Sequence, residues 1–315
     1  MRMTNLAKAR TDCAFLDDVL TGLSGPVKTL PAKYFYDAKG SRLFEEICEL
    51  PEYYLTRTEI ALLTRVAPEI AHHIPTGAAL VEPGSGASLK TRLVLDAAPQ
   101  LAAYVPIDIS ESALSQASAA LTRDYPALSV IPVAADFTRP LTLPAAVRAL
   151  PLVGFFPGST IGNFTPDEAA ALLSQARAML GPNAAFLVGA DLVKPVETLL
   201  RAYDDAQGVT AAFNLNLLYR INRDLEADFN PYAFKHRALW NARESRIEMH
   251  LISARNQYVR VGGEKLAFAE GQSIHTENSY KFTPAMFTGI AERAGWSVET
   301  SWVSDQQPFG LFLLR

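Results

Sequence analysis

The middle of the chain alternates short apolar runs with helical stretches, and this alternation restricts the fold more than any other feature of the sequence. The apolar runs, which we interpret as strands, are residues 78–82, 104–109, 129–134, 152–156 and 184–190. Helical stretches lie between them, and one of these begins after Thr165 with a proline at its first position. Strands and helices that alternate at these lengths predict an α/β fold, in which helices cover both faces of a parallel sheet.

The pattern changes after Asp191. A mostly helical stretch at 196–222 is followed by two strand-like stretches at 247–254 and 257–261. A helix at 282–295 then leads to a closing pair of strands at 297–304 and 309–314. The closing strand pair would complete the sheet that begins at residue 78, so residues 196–281 are an insertion that packs with the N-terminal segment. The sequence therefore predicts two domains. The larger is formed by residues 58–193 plus 282–315, and the smaller by residues 14–57 plus 194–281.

Composition excludes several classes of protein. The chain has 315 residues, with 29 Lys and Arg against 33 Asp and Glu, so its net charge is −4 and we expect no nucleic-acid surface. No apolar run reaches the ~18 residues of a membrane span, and the first twelve residues contain no apolar segment typical of a secretory signal. Two cysteines, Cys13 and Cys48, cannot form a disulfide scaffold. We therefore expect a cytoplasmic protein without a membrane partner. We also expect a monomer.

Histidine spacing gives no indication of a metal site. The five histidines are His72, His73, His236, His250 and His275, and they show neither HxxxH nor HxH spacing. The segment Gly158-Ser159-Thr160 also lacks the GxSxG pattern of a hydrolase nucleophile. The sequence thus predicts an enzyme or a small-molecule binder that uses neither a resident metal nor a catalytic serine.

The first strand of the alternating region leads into a glycine turn, Glu82-Pro83-Gly84-Ser85-Gly86. Glycines let the backbone approach a ligand closely, and the helix that follows offers free N–H groups. The turn lacks the third glycine of the dinucleotide pattern GxGxxG and the GK[ST] ending of a phosphate loop. It therefore indicates a small-molecule site of another kind.

Acidic residues close the next two strands. Asp108 stands where a carboxylate would bind the two hydroxyls of a ribose, and Asp136-Phe137 stands where a carboxylate and a ring would bind adenine. The simpler interpretation is a tight turn with two solvent-facing aspartates. The order of the three strand ends resembles the class I S-adenosylmethionine-dependent methyltransferases.

Longer motifs in the same order extend the resemblance to one family. They include KYFYD at 33–37, LPEYY at 50–54, TRTE at 56–59, FPGSTIGN at 156–163, AYDDA at 202–206, RIEM at 246–249 and HTENSYKF at 275–282. From about Pro31 to the C-terminus the chain resembles the histidine-specific Nα-methyltransferases of ergothioneine biosynthesis. Pro83 is a departure, because the resemblance leads us to expect Leu there.

The resemblance implies a Rossmann-like class I methyltransferase sheet with a second, smaller substrate-binding domain. It implies S-adenosylmethionine as donor and three methylations of the α-amine of L-histidine, which give hercynine. The implied cofactor-binding residues are Tyr36, Gly84, Gly86, Lys90, Asp108, Asp136 and Phe137. The implied histidine-binding residues are Tyr53, Asn163, Tyr203, Met249, Glu277 and Ser279. Of these sets, Asn163 and Tyr36 are the implied catalytic residues near the amine.

Taken singly, these residues have ordinary explanations. Asn163 can accept from an amine and donate to a carboxylate, but Asn after Gly is also common in turns. Glu277 and Ser279 point the same way if their segment is extended, as polar residues on a strand surface also do. Two alternatives stay open: an N-methyltransferase of the same fold for another amino acid or small amine, and a binding module without activity. The pair Glu277 and Ser279 favours an imidazole, because an indole would prefer an apolar wall.

Overall fold

The computed structural model describes residues 2–86 and 89–315, with the side chains of residues 2–12, 112 and 113 outside the description. The chain divides into two compact units. The first unit is Met1–Tyr54 with Lys194–Ser279, and the second is Leu55–Val193 with Tyr280–Arg315.

Helices and strands are numbered in chain order. The helices are α1 (Arg2–Ser24), α2 (Ala38–Glu49), α3 (Tyr54–His72), α4 (Leu89–Ala97), α5 (Glu111–Asp124), α6 (Ala145–Arg148), α7 (Pro166–Leu180), α8 (Val196–Tyr203), α9 (Val209–Leu225) and α10 (Pro284–Arg293). The strands are β1 (Lys28–Thr29), β2 (Ala79–Pro83), β3 (Ala103–Asp108), β4 (Ser129–Val130), β5 (Val133–Ala134), β6 (Leu152–Phe156), β7 (Ala185–Asp191), β8 (Phe234–Asn241), β9 (Arg246–Ser253), β10 (Gln257–Val261), β11 (Glu264–Phe268), β12 (Ser273–Tyr280), β13 (Val298–Val303) and β14 (Phe309–Leu314). Short 3-10 segments cover Ala32–Phe35, Thr160–Asn163 and Pro231–Ala233.

The second unit contains an eight-stranded sheet in the order β13-β14-β7-β6-β2-β3-β4, with β5 also paired to β3. Strands β2 to β7 run parallel, whereas β14 pairs antiparallel with both β7 and β13. The α/β fold with a central, mostly parallel sheet is therefore confirmed. The closing strand pair expected from residues 297–304 and 309–314 is also confirmed.

Alternating residues of this sheet enter two separate apolar cores. Val81 belongs to the core formed with α7 and α10, and its neighbour Leu80 belongs to the core formed with α3, α4 and α5. Successive side chains of a strand point to opposite faces, so these two cores lie on the two sides of the sheet. Because β2, β3, β6 and β7 are parallel, their carboxyl ends share one edge, which is where the glycine turn and Asp108 follow.

The first unit combines a mixed sheet with helices. Its sheet has the order β1-β12-β9-β8, and β10 and β11 form a separate antiparallel pair. Helix α9 packs against α2 and β8, and α8 packs against β8 and β9. Buried residues of α9 such as Phe213 and Leu217 form the apolar side of that helix.

The segment that separates the two parts of the second unit leaves and returns at neighbouring points. Leu192 and Phe282 form a parallel β-bridge. The Val193 N–H donates to the Phe282 carbonyl over 2.9 Å, and the Phe282 N–H donates to the Asp191 carbonyl over 3.0 Å. The chain therefore passes out of and back into the second unit through one small ladder of hydrogen bonds.

Several elements differ from the prediction. The strand expected at 129–134 is two short strands, since Pro132 lies between β4 and β5 and has no N–H for the ladder. The helical stretch expected at 196–222 is interrupted before Gly208, whose φ of +75° suits the left-handed region. The helix start expected at Ser88 lies outside the described residues. In the part of the chain that the structure describes, we find no helix with the length and apolar character to cross a membrane.

Candidate active site

The glycine turn after β2 provides a narrow space beside Phe137. Gly84 and Gly86 have φ values of +68° and +46°, which other residues adopt rarely. A Cβ at Gly84 would lie 3.3 Å from the Phe137 ring. The structure thus brings Gly84 and Phe137 together. Because Gly84 has no side chain, a ligand can come close to the backbone of the turn.

The two strand-end aspartates are each held by their own turn. Asp108 is partly buried, and its Oδ1 accepts from the Ser110 N–H over 2.9 Å. Asp136 Oδ1 accepts from the Thr138 N–H over 2.9 Å and from its hydroxyl over 2.5 Å, while Oδ2 lies 3.4 Å from Arg139 Nε. Each carboxylate is therefore oriented by hydrogen bonds within its own turn.

Glu82, at the end of β2, is a buried carboxylate to which sequence reasoning assigned no role. Its Oε2 accepts from the Thr91 hydroxyl of α4 and from the Tyr104 hydroxyl of β3, each over 2.6 Å. Burial raises the pKa of Glu82 to about 7. This residue ties α4 and β3 to the strand that carries the glycine turn.

Lys90 lies in the first turn of α4 as described, and its ammonium is paired with a second buried carboxylate. Lys90 Nζ lies 2.5 Å from Oε2 of Glu59, a residue of α3 that is fully buried. The Gly158 N–H donates to both oxygens of the same carboxylate, over 2.8 and 2.9 Å. Glu59 is part of the TRTE motif, but sequence reasoning assigned it no role.

Asn163 ends a tight turn that follows β6. Gly158 and Ser159 have φ values of +84° and +56°, so the chain passes through two successive left-handed residues. Ser159 Oγ accepts from the Asp191 N–H over 2.8 Å, and a Cβ at Gly162 would lie only 2.9 Å from the Tyr280 carbonyl oxygen. The turn is therefore held tightly on both sides, and Asn163 itself is partly buried.

A buried ion pair lies directly beside this turn. Lys281 Nζ and Asp191 Oδ2 are 2.9 Å apart, and both side chains are completely inaccessible to solvent. The Asp191 backbone also holds Ser159, as described above. The pair thus supports the carboxyl end of β7 and the turn after β6 together.

In the first unit, Tyr36 follows the 3-10 segment Ala32–Phe35 and is positioned by the residue after it. Asp37 accepts from the Gly40 N–H over 2.7 Å and from Asn216 Nδ2 over 2.8 Å, and it lies 2.8 Å from Arg223. Burial alone would raise the pKa of Asp37, but these hydrogen bonds outweigh it and hold the pKa below its usual value. Asp37 therefore fixes the start of α2 against α9.

Aromatic rings surround the predicted tyrosines. The Tyr36 ring lies 5.7 Å from Phe44 and 5.8 Å from Phe213, and the Phe44 ring lies 6.2 Å from Tyr53. The Tyr53 and Tyr203 rings are 6.1 Å apart. Sequence reasoning gave Phe44 and Phe213 no part in the site. We call these five residues the aromatic cluster.

Polar groups of β12 lie beside the aromatic cluster. The Tyr203 and Ser279 hydroxyls share a hydrogen bond of 2.7 Å. Ser279 and Glu277 are two residues apart in β12 and so face the same side of the sheet. Burial raises the pKa of Tyr53 well above its usual value, and Glu277 is among the charges that add to this. Tyr53, Tyr203, Glu277 and Ser279 are therefore brought together within the first unit.

Met249 lies on β9, next to β12, and is buried. The Thr276 hydroxyl donates to the Met249 carbonyl over 3.0 Å, which joins the two strands at this level. The predicted site residues thus fall into two sets. Tyr36, Tyr53, Tyr203, Met249, Glu277 and Ser279 belong to the first unit, and Gly84, Gly86, Lys90, Asp108, Asp136, Phe137 and Asn163 belong to the second. Their roles stay predictions.

A group of three possible metal ligands occurs in the first unit, which the spacing of histidines did not suggest. One ligand atom from each of Glu248, His250 and His275 lies within 4.8 Å of the others. However, the two imidazole rings are stacked, with an angle of 19° between their planes and centroids 4.7 Å apart. The lone pairs of the two rings therefore lie in parallel planes and do not converge on one ion. Arg246 also forms an ion pair with Glu248, with 2.7 Å between Nη2 and Oε1. This geometry suits a hydrogen-bonded network, and we assign no metal to it.

The same network has clear electrostatic consequences. Hydrogen bonds from Asn241, Arg246 and His250 overcome the effect of burial and hold the pKa of Glu248 at about 2. Burial and the neighbouring His250 lower the pKa of His275. The His275 Nε2–H donates to the Glu277 carbonyl over 3.0 Å, so a neutral imidazole supports the backbone of β12 at this position.

Comparison with known proteins decides the family. Residues 15–315 match the family model described as histidine-specific methyltransferase, SAM-dependent. The chain belongs to this family. The histidine N-alpha-methyltransferase of Mycolicibacterium smegmatis is 46% identical over 304 residues, which cover 94% of this chain and 93% of that protein. The histidine N-alpha-methyltransferase of Mycobacterium tuberculosis is 43% identical over 302 residues, with the same two coverages of 94% and 93%.

Membership of the histidine-specific methyltransferase family confirms the resemblance found in the motifs and the prediction of an enzyme. Among solved structures, an S-adenosylmethionine-dependent methyltransferase from Clostridium acetobutylicum matches with a TM-score of 0.50 and 10% identity. The match covers 87% of this chain and 98% of that one. At this identity the likeness supports the fold only.

Proposed function

We propose that this member of the histidine-specific methyltransferase family methylates the α-amino group of L-histidine three times, giving hercynine, with S-adenosylmethionine as donor. This is a step of ergothioneine biosynthesis. The observation that carries the proposal is the polar set of Tyr203, Glu277 and Ser279 beside the aromatic cluster, since it offers partners for both a carboxylate and an imidazole. The names of the two mycobacterial relatives support the same substrate.

The residues of the second unit fit the proposed donor. S-adenosylmethionine supplies an electrophilic methyl group on a sulfonium sulfur. The space that a Cβ at Gly84 would fill beside Phe137 suits the close approach of a flat ligand. We expect Asp108 to accept from ribose hydroxyls, Phe137 to pack on adenine and the Lys90 ammonium to pair with a carboxylate.

The substrate contacts follow from the chemistry of each side chain. We expect the Asn163 carbonyl oxygen to accept from the amine and its NH₂ group to donate to the substrate carboxylate, together with the Tyr203 hydroxyl. The Glu277 carboxylate is expected to accept from an imidazole N–H. These hydrogen bonds would hold the amine in one orientation, which converts binding into a near-attack geometry.

The amine must lose its proton before it can attack, because a protonated amine has no lone pair. Burial raises the pKa of Tyr53 well above its usual value, so its hydroxyl stays protonated near neutral pH. Tyr53 therefore contributes a hydrogen bond and cannot act there as a general base. We infer that the site favours the neutral amine by orienting its lone pair, and that the proton passes to solvent.

Asp108→Ala is expected to weaken cofactor binding and leave the fold intact. The substitution removes a partly buried carboxylate whose proposed role is to accept from the ribose. A hydrogen bond to a charged group is worth about 1.5–3 kcal/mol, which corresponds to roughly a ten- to hundredfold increase in Kd. Calorimetric titration with S-adenosylhomocysteine measures this directly. An unchanged Kd would reject the proposed role of Asp108.

The dominant product from histidine is expected to be trimethylated. Each methyl group replaces an N–H donor, and the rings of Tyr36, Phe44 and Tyr53 can accommodate methyl groups and a cationic nitrogen without needing a donor. The test is to incubate the protein with excess S-adenosylmethionine and each of the twenty amino acids, and to follow mass gains in steps of one methyl. If histidine stops at one or two methyl groups, or if another amino acid reacts faster, the proposal is wrong.

A cytoplasmic location, a monomeric state and the lack of a nucleic-acid partner stay predictions from the sequence.

A further inference from the structure

Glu59 is a buried acidic residue that the proposed chemistry does not use. It lies on α3 in the second unit and is completely inaccessible to solvent. Its carboxylate has three short contacts: two from the Gly158 N–H, at 2.8 and 2.9 Å, and one from Lys90 Nζ, at 2.5 Å. A buried charge is costly unless it is paired and hydrogen-bonded, and Glu59 is both.

The surrounding structure makes room for this carboxylate. A Cβ at Gly189, in β7, would lie 2.4 Å from Glu59 Oε1 and 3.3 Å from the Phe309 ring. Since real Cβ atoms do not approach an oxygen so closely, only glycine at this position permits the observed place of Glu59. Strand β7 and helix α3 are thus matched to one another around a single carboxylate.

The two partners of Glu59 belong to different parts of the proposed site. Lys90 lies in α4, beyond the glycine turn, and is a proposed cofactor-binding residue. Gly158 begins the left-handed turn that leads, five residues later, to Asn163, a proposed catalytic residue. These partners are far apart in the chain, and Glu59 joins them.

We propose that Glu59 is a positioning residue that holds the Lys90 ammonium and the Gly158 turn in one fixed arrangement, so that cofactor binding and amine orientation depend on it. The proposal rests on the proposed function, because that function assigns the roles of Lys90 and Asn163. Glu59 itself touches neither ligand in this scheme. It acts only through the two groups that it holds.

The role requires a carboxylate, because both partners are donors. Glutamine has the same shape, but one of its two terminal atoms is an NH₂ group. In Glu59→Gln this group must face either the Gly158 N–H or the Lys90 ammonium, and neither can accept a hydrogen bond. With the amide oxygen at the Oε1 position, Lys90 loses its acceptor. With the oxygen at the Oε2 position, both donors keep one acceptor, but the Gly158 N–H then lies against the NH₂ group. In either orientation the negative charge that pairs with the Lys90 ammonium is lost.

The first test compares Glu59→Gln with Glu69→Gln, the same change at an exposed position of the same helix. We expect Glu59→Gln to raise the Kd of S-adenosylhomocysteine by about ten- to a hundredfold and to lower kcat with histidine. Glu69→Gln should change neither quantity. Circular dichroism and thermal melting of each variant report whether it is folded. A Glu59→Gln protein that is folded and binds with the wild-type Kd would overturn the proposal.

A double-mutant cycle separates positioning from general stability. If Glu59 acts on the cofactor through Lys90, then Glu59→Gln should change the Kd of S-adenosylhomocysteine less than threefold in a Lys90→Met background. Equal effects of Glu59→Gln with and without Lys90 would show that it does not act through Lys90, which also overturns the proposal. A purely structural role would lower the melting temperature and leave the Kd of the folded protein unchanged.

A third test applies if Glu59→Gln does not fold. Gly189→Ala leaves Glu59 unchanged but places a methyl group where Glu59 Oε1 lies. Adding Glu59→Asp shortens the side chain by one methylene and so makes room for that methyl group. We expect Gly189→Ala to weaken S-adenosylhomocysteine binding and the double variant Gly189→Ala with Glu59→Asp to recover part of the loss. If the double variant recovers none, the proposal fails.

If the wild-type protein does not methylate histidine, the proposed substrate is wrong, and the binding of S-adenosylhomocysteine still tests Glu59.

Discussion

Lys281→Met is expected to destabilise the second unit by about 3–5 kcal/mol, which is the cost of breaking a buried ion pair from one side. The Lys281 ammonium lies 2.9 Å from Asp191 Oδ2, and neither side chain has any exposed surface. Methionine preserves most of the volume but removes the charge. The Asp191 carboxylate then loses its ammonium partner in a place that water does not reach.

Urea denaturation of the wild type and the variant measures this change in the free energy of unfolding. The matched control is Arg293→Met, which breaks a pair with Asp167 in the same unit whose side chains are 51% and 90% exposed. An exposed pair of this kind is worth about 0–1 kcal/mol. If Lys281→Met costs no more than Arg293→Met, the buried pair does not stabilise the protein as described.

Glu277→Gln is expected to lower kcat/KM for histidine by roughly ten- to a hundredfold, because a hydrogen bond to a charged group is worth about 1.5–3 kcal/mol. Glutamine retains the size of the side chain and one acceptor oxygen, so the variant tests the charge of Glu277 and not its shape. The affinity for S-adenosylhomocysteine, measured without histidine, should stay near that of the wild type.

Glu277→Leu should have a larger effect on selectivity. Leucine leaves the imidazole N–H against an apolar side chain that cannot accept a hydrogen bond. The loss with histidine should exceed that of Glu277→Gln, and an aromatic amino acid should become a relatively better substrate. Glu264→Gln, at an exposed position of β11, is the control. If both Glu277 variants methylate histidine at the wild-type rate, Glu277 is only a surface carboxylate.

The parallel sheet could be predicted from the sequence because its strands are short and apolar, and because a glycine, proline or aspartate marks where they end. β2, β6 and β7 are buried on both faces, so they read as continuous apolar runs that end at Gly84, Pro157 and Asp191. β8 was missed, since its residues FKHRALWN combine charged and apolar side chains without alternation. The pairing of β1 with β12 joins residues far apart in the chain and has no local signal.

The contacts that organise the candidate site were beyond sequence reasoning for a similar reason. Glu59 and Gly158 meet across 99 positions of sequence, and nothing near either residue indicates the other. The motifs TRTE and FPGSTIGN could be recognised, but the hydrogen bond that joins them depends on how α3 lies against the sheet. Strand-end residues such as Asp108 could be found, because parallel strands end at one edge whatever packs around them.

The ladder between Val193 and Phe282 has a consequence for how this kind of enzyme can diversify. The residues from Lys194 to Ser279 enter and leave through two points that the second unit itself holds together. The ends of this segment are thus already closed, and the entropy of closing a loop grows only slowly with its length. Insertions or deletions in the loops between those points place little strain on the strands to either side. Changes of length within this segment can therefore accumulate without disturbing the sheet that holds its two ends.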